Sequence, residues 1–212
     1  MNTTFKIQSY IKWLSIFTVF CLLYLVIRNG VAHNKTYNFL VWNAFLGLVP
    51  FLVALGTYFF RNKLGKVPVL LLSGLWLLFY PNAPYMITDF IHVNPESKIV
   101  VYEALLIFSF AMLSLFYGFY SLKLIEKILQ VHYKAVTVKI ITWLAILLSS
   151  FGLYLGRVLR LNSWDVFTDF FGTMKVIFEH LFPITKNPVT YLMIILFTSI
   201  QIILLNLIQD ID

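Results

Sequence analysis

Two short segments hold most of the side chains capable of chemistry. The first runs Tyr80-Pro81-Asn82-Ala83-Pro84-Tyr85-Met86-Ile87-Thr88-Asp89-Phe90-Ile91-His92. Its two prolines, three residues apart, withdraw backbone donors and stop a helix, leaving carbonyls that Asn82, Thr88 or water must satisfy. If helical turns restart after Pro84, Asp89 and His92 fall on one face. There a carboxylate can orient an imidazole for general base work or supply half of a metal site. The same spacing suits a helix terminus carrying a solvated ion pair. The second segment runs Gly152-Leu153-Tyr154-Leu155-Gly156-Arg157-Val158-Leu159-Arg160-Leu161-Asn162-Ser163-Trp164-Asp165. Gly152 and Gly156 form a small-residue face that admits a close helix, from this chain or another. Arg157 and Arg160 could clamp a phosphate or carboxylate by forked hydrogen bonds, anchor a helix end by snorkelling, or pair with Asp89 or Asp165. Trp164 suits a membrane interface.

The elements that position these residues follow from composition. Of the 212 residues 60% are hydrophobic and 12% charged, with a mean hydropathy of +0.86, against roughly half and a quarter in soluble domains. Uncharged runs bounded by charges predict an all-α, polytopic transmembrane bundle of about six spans, near 11–28, 37–60, 66–81, 99–122, 139–157 and 188–209. One integral membrane domain occupies 1–212, with no room for a separate soluble one. The net charge of +7 is spread in short clusters between apolar runs, which topology and anionic headgroups explain better than nucleic acid. Nucleic acid is therefore excluded as a partner; membrane lipids are expected, with a partner subunit or a homo-oligomer as the other candidates. Cys21, the lone cysteine, reads as a small buried hydrophobe. Residues 30–32 faintly resemble a signal-peptidase site after the first apolar run, but an uncleaved first helix serves equally well.

Alternating loops with the amino terminus inside place nine Lys and Arg in the cytoplasm and seven outside. The two densest clusters, after the second and fourth helices, both fall inside. Both termini are thus expected in the cytoplasm. Within the long outer loop, Val166, Phe167, Phe170, Phe171, Met174, Ile177, Phe178 and Leu181 recur at helical spacing, predicting an amphipathic helix near 163–182. Ser163 would cap it and Pro183 end it. It would lie in the interface or pack as a seventh helix of the bundle. An offset of eighty also aligns Asn82, Thr88, Asp89 and Phe90 with Asn162, Thr168, Asp169 and Phe170, which raises an internal duplication with two equivalent Asp-bearing turns.

The Pro-Asn-Ala-Pro-Tyr stretch with Thr88, Asp89 and His92, together with Leu155-Gly156-Arg157, Arg160 and Asn162-Ser163-Trp164-Asp165, resembles the bacterial membrane family called domain of unknown function 1361. The resemblance covers most of the chain. It implies that these are hallmark positions and that the host is a bacterial cytoplasmic membrane; it carries no activity.

The candidate ligand-binding residues are accordingly Asn82, Tyr85, Asp89, His92, Arg157, Arg160, Asn162, Trp164 and Asp165, with Asp89 and His92 also the catalytic candidates and Glu103 a possible neighbour. Their concentration on one side of the predicted topology marks a working face, because polar groups at membrane depth are costly unless paired. An accessory or lipid- or envelope-precursor-binding protein asks least of these residues. A membrane-embedded enzyme on a lipid-linked or phosphorylated substrate requires that they converge. A small oligomeric transporter fits the broken third helix. No His-Glu-x-x-His, Gly-x-Ser-x-Gly or glycine-rich phosphate loop is present, so the sequence names no reaction, cofactor or metal.

Overall fold

The computed structural model describes residues 3–161, 165–181 and 188–209, and all regular structure among them is helical. The main helices up to residue 158 are α1 (Thr3–Ala32), α2 (Phe39–Phe60), α3 (Lys66–Phe79), α5 (Val100–Leu129) and α6 (Ala135–Val158). Between α3 and α5 lie a single turn, α4 (Asn82–Tyr85), and a 3-10 helix over Met86–His92; after α6 come α7 (Asp165–Thr168), α8 (Phe170–Leu181) and α9 (Pro188–Gln209). Among the described residues, five helical stretches are long and apolar enough to cross a membrane, Ile7–Ala32, Thr36–Phe60, Lys66–His92, Val100–Leu129 and Ala135–Val158; a shorter apolar stretch covers Thr190–Asn206. The chain is a multi-span helical membrane bundle. Rows of exposed Phe, Leu, Ile, Val and Trp on its outer surface, such as Trp13, Phe20, Val26, Leu71 and Leu148, are what hydrocarbon rather than water requires.

Helix α5 is the centre. Its buried residues run from Glu103 to Leu129, and α1, α2 and the proline turn all pack on it. It outruns the apolar reading of 99–122 because Lys123 and Lys127 can carry their charges outward while the backbone ladder continues. Cys21 is fully buried and unpaired.

The third apolar run shows how the prolines shape the bundle. The α-helix expected over 66–81 stops at Phe79, but the helical path goes on to His92. Pro84 sits in the first turn of α4, where its missing N–H would go unpaired anyway. The turn survives because its surroundings are stripped of side chains. A Cβ on Gly152 would stand 2.7 Å from Pro81 Cγ, and one on Gly118 would stand 2.8 Å from Ala83 Cβ. A Cβ on Gly156 would come within 3.3 Å of Tyr85 Cε2. The small-residue face of α6 is therefore used within the chain, to seat the proline turn.

The amphipathic helix differs from its predicted form. It is broken at Asp169 into α7 and α8, and Asp169 accepts the Gly172 N–H at 3.0 Å as an N-cap to the third residue of α8. The expected cap Ser163 and terminator Pro183 lie outside the described residues. Phe170, Phe171 and Phe178 are exposed, while Thr173 is buried.

Candidate functional site

Asp89 owes its position to the proline turn. The 3-10 helix that follows α4 carries the carboxylate inward until it is 1% exposed, although a lone carboxylate at that depth would be strongly disfavoured. Both oxygens are occupied. Arg157, at the end of α6, donates Nη2–H to Oδ1, and Asn43 of α2 donates Nδ2–H to Oδ2 at 2.9 Å. The arrangement fixes the guanidinium from three sides. Arg157 Nε donates to the Thr88 hydroxyl at 2.6 Å, and the Tyr85 ring lies under the guanidinium carbon at 4.2 Å. Thr88 in turn donates to the Tyr85 carbonyl at 2.6 Å, satisfying one acceptor freed by the irregular helix, and Asn82 does the same for Phe79 O at 2.9 Å.

Behind this wall opens a pocket of about 460 Å³, within the usual range of about 300–1,000 Å³ for small-ligand sites. Leucines and glycines of α3 and α6 make its apolar side, Asn43, Asn82 and Tyr85 its polar side, Trp42 lies at its α2 side, and Thr173 and Ile177 of α8 contribute from above the break.

Not every candidate residue joins this cluster. His92 is exposed, its ring packed edge-on against Phe39 at 4.9 Å, so the Asp89–His92 pair allowed by their spacing does not form. The 3-10 winding turns Asp89 inward and Arg157 and Asn43 take both its oxygens. Arg160 is also exposed, so the two arginines do not act as a clamp. Its backbone is left-handed, φ 58°, at the position after the end of α6, and the Leu161 N–H closes the turn on Leu155 O at 3.1 Å. Glycine usually fills that role. The turn swings Leu161 back into the pocket wall. Asp165 is partly buried, and its carbonyl accepts the Asp169 N–H at 2.8 Å and the Thr173 hydroxyl at 3.3 Å. Asn162 and Trp164 lie outside the described residues. Asp89 is buried in an ion pair and Asp169 is an exposed helix cap, so the two aspartates of the eighty-residue offset do not frame a shared site.

A second ion pair stands near the same end. Arg28, 3% exposed at the end of α1, donates from Nε to Glu103 Oε1 at 3.1 Å and from Nη1 to Asn34. The Tyr37 hydroxyl, with one proton to give, stands 3.1 Å from His92 O and 3.4 Å from Glu103 Oε2. Deeper in the bundle Tyr80 donates to Gln201 at 3.2 Å and Gln201 donates to Ser150 at 3.0 Å, tying α9 to α6 and to the end of α3.

Asn43, Arg28 and Gln201 are absent from the sequence-derived candidates. Asn43 and Gln201 had a readable signal: each interrupts an otherwise apolar run, where an unpaired amide is costly. Among the described residues no group of three or more His, Cys, Asp or Glu gathers as a metal would require.

Comparison with curated proteins finds no match, and comparison with solved structures finds none. A family model does match, over residues 42–204, a span that holds Asn43, the proline turn, Asp89 and Arg157: the chain belongs to the family described as Protein of unknown function (DUF1361).

Proposed function

We propose that this chain is a multi-pass protein of a bacterial cytoplasmic membrane, with both termini in the cytoplasm, that binds a lipid or lipid-linked envelope precursor in the pocket beside Asp89 and Arg157, on the extracytoplasmic side. The pocket carries the reading: its apolar wall and polar wall match the two halves of an amphiphile. The basic clusters after α2 and α5 favour this orientation. Enzymatic use of Asp89 as a base is disfavoured by the occupation of both its oxygens and by the remoteness of the His92 ring.

Gly74 gives a clean test. It lines the pocket, and a Cβ placed there would meet nothing within 4 Å, so Gly74→Leu intrudes on the void without disturbing the backbone, and removing a mid-helix glycine favours the helix by about 1 kcal/mol. Native mass spectrometry of the full chain, purified in detergent, should show co-purified lipid on the wild type and its loss from Gly74→Leu with the fold retained, read as a cooperative thermal transition. Equal lipid content in both would contradict the proposal.

A further inference from the structure

Resting on that reading, the charge pattern of the pocket specifies which amphiphile it takes. Arg157 and Asp89, buried beside the pocket, neutralise each other, with Thr88, Asn43 and the Tyr85 ring absorbing the rest of their bonding capacity, and Arg160, whose charge also reaches Tyr85, is exposed outside the lining. Among the described residues that line the void there is no Lys, Arg, His, Asp or Glu. A phosphate entering it would lose its hydration without gaining an uncompensated cation, a transfer that costs far more than burying a hydroxyl.

The groups that are offered are neutral and mixed in sense. Asp89 orients the Asn43 amide by taking its Nδ2–H, which leaves Oδ1 as an acceptor. Tyr85 contributes a phenol whose ring lies beneath a guanidinium and whose hydroxyl, with no partner among the described residues, can donate or accept. The Thr173 hydroxyl spends its proton on Asp165 O at 3.3 Å and can still accept. Donors and acceptors interspersed this way suit hydroxyls, which also do both. We infer that the pocket binds an amphiphile with an uncharged, polyhydroxylated headgroup, a sugar or glycerol unit on an apolar chain, and discriminates against a phosphate monoester on the same chain.

The test holds chain length fixed and changes the head. The full chain, in an uncharged polyoxyethylene detergent, is titrated with dodecyl β-glucoside, dodecyl phosphate and free glucose, and bound probe is counted by native mass spectrometry. The glucoside should bind saturably, one per chain, at least about tenfold tighter than the phosphate, a margin worth about one good hydrogen-bonding difference. Glucose without the chain should not bind measurably. Tyr85→Phe keeps the ring under Arg157 and removes the hydroxyl; it should weaken the glucoside by about tenfold and leave the phosphate unchanged. Dodecyl phosphate binding as tightly as the glucoside, or an unaltered glucoside affinity in Tyr85→Phe, overturns the headgroup inference and leaves the amphiphile pocket standing. Absence of saturable binding by either dodecyl probe, or binding that persists undiminished in Gly74→Leu, removes both.

Discussion

Two buried ion pairs among the described residues, Arg28–Glu103 and Arg157–Asp89, use the same chemistry near the same end of the bundle and differ in what adjoins them. In the first, both side chains are nearly inaccessible, 3% and 4% exposed, and the neighbouring groups, Asn34 and Tyr37, close the cluster from the loop between α1 and α2. In the second, the arginine keeps 14% of its surface, and Tyr85 under the arginine and Asn43 on the aspartate both line a void. The first is a clasp that joins α1 to α5. The second stands behind a cavity, beside the proline turn that follows α3. Burial of a charge pair by itself thus marks no working site; what distinguishes the pair of interest is the empty, half-polar space beside it.

The comparison can be broken by removing one acid at a time. Glu103→Ala strands a guanidinium with almost no access to water, and the expected loss is about 3–5 kcal/mol, read as a fall in unfolding midpoint in detergent, with lipid content per folded molecule unchanged. Asp89→Ala should destabilise less, by about 1.5–3 kcal/mol, because Arg157 retains Thr88 and keeps 14% of its surface exposed. Its lipid content, however, should collapse, since Asn43 loses the group that orients it. If Glu103→Ala emptied the pocket and Asp89→Ala did not, the assignment of roles would be reversed.

A third substitution separates the positions of the two pairs. The proline turn rests on Gly152, with Pro81 only 2.7 Å from where a Cβ would be, so Gly152→Ala should cost about 1–3 kcal/mol by overpacking and lower lipid retention. The Arg28–Glu103 clasp should not feel it, which additive stability losses in the Gly152→Ala, Glu103→Ala double variant would show. The smallest effect belongs to His92→Ala. An exposed ring against Phe39 predicts a change within about 0.5 kcal/mol and no change in lipid content, whereas a large loss of binding would return His92 to the site.

How much of this could be read beforehand depends on whether the information was local. The bundle is legible because uncharged runs bounded by charges can be solvated only by lipid or by each other. The break at Pro81 and Pro84 is legible because proline's missing donor acts on its own helix. Asp89 and Arg157 stand out as charges near predicted membrane boundaries, but spacing left Arg157 three uses and Asp89 a choice of His92 or another group. Tertiary approach decides between them: Gly152 and Gly156 let α6 close on the turn, and that proximity gives Asp89 to Arg157. Glu103 was visible as the one charge in its run, yet its arginine lies 75 residues away on α1, beyond any local pattern. The void between α2, α3, α6 and α8 had no sequence signal, since a cavity is the space that packing fails to fill.

The most direct measurement locates the bound chain. A dodecyl glucoside carrying a photoreactive diazirine on its alkyl chain, irradiated with the full-length protein and mapped by peptide mass spectrometry, should label Leu46, Leu77 and Leu155 of the pocket, and free dodecyl glucoside should compete the label away. Labelling spread over the outer apolar surface, at residues such as Leu71 and Leu148, with no competition, would contradict the claim that this family member holds its lipid between α2, α3 and α6.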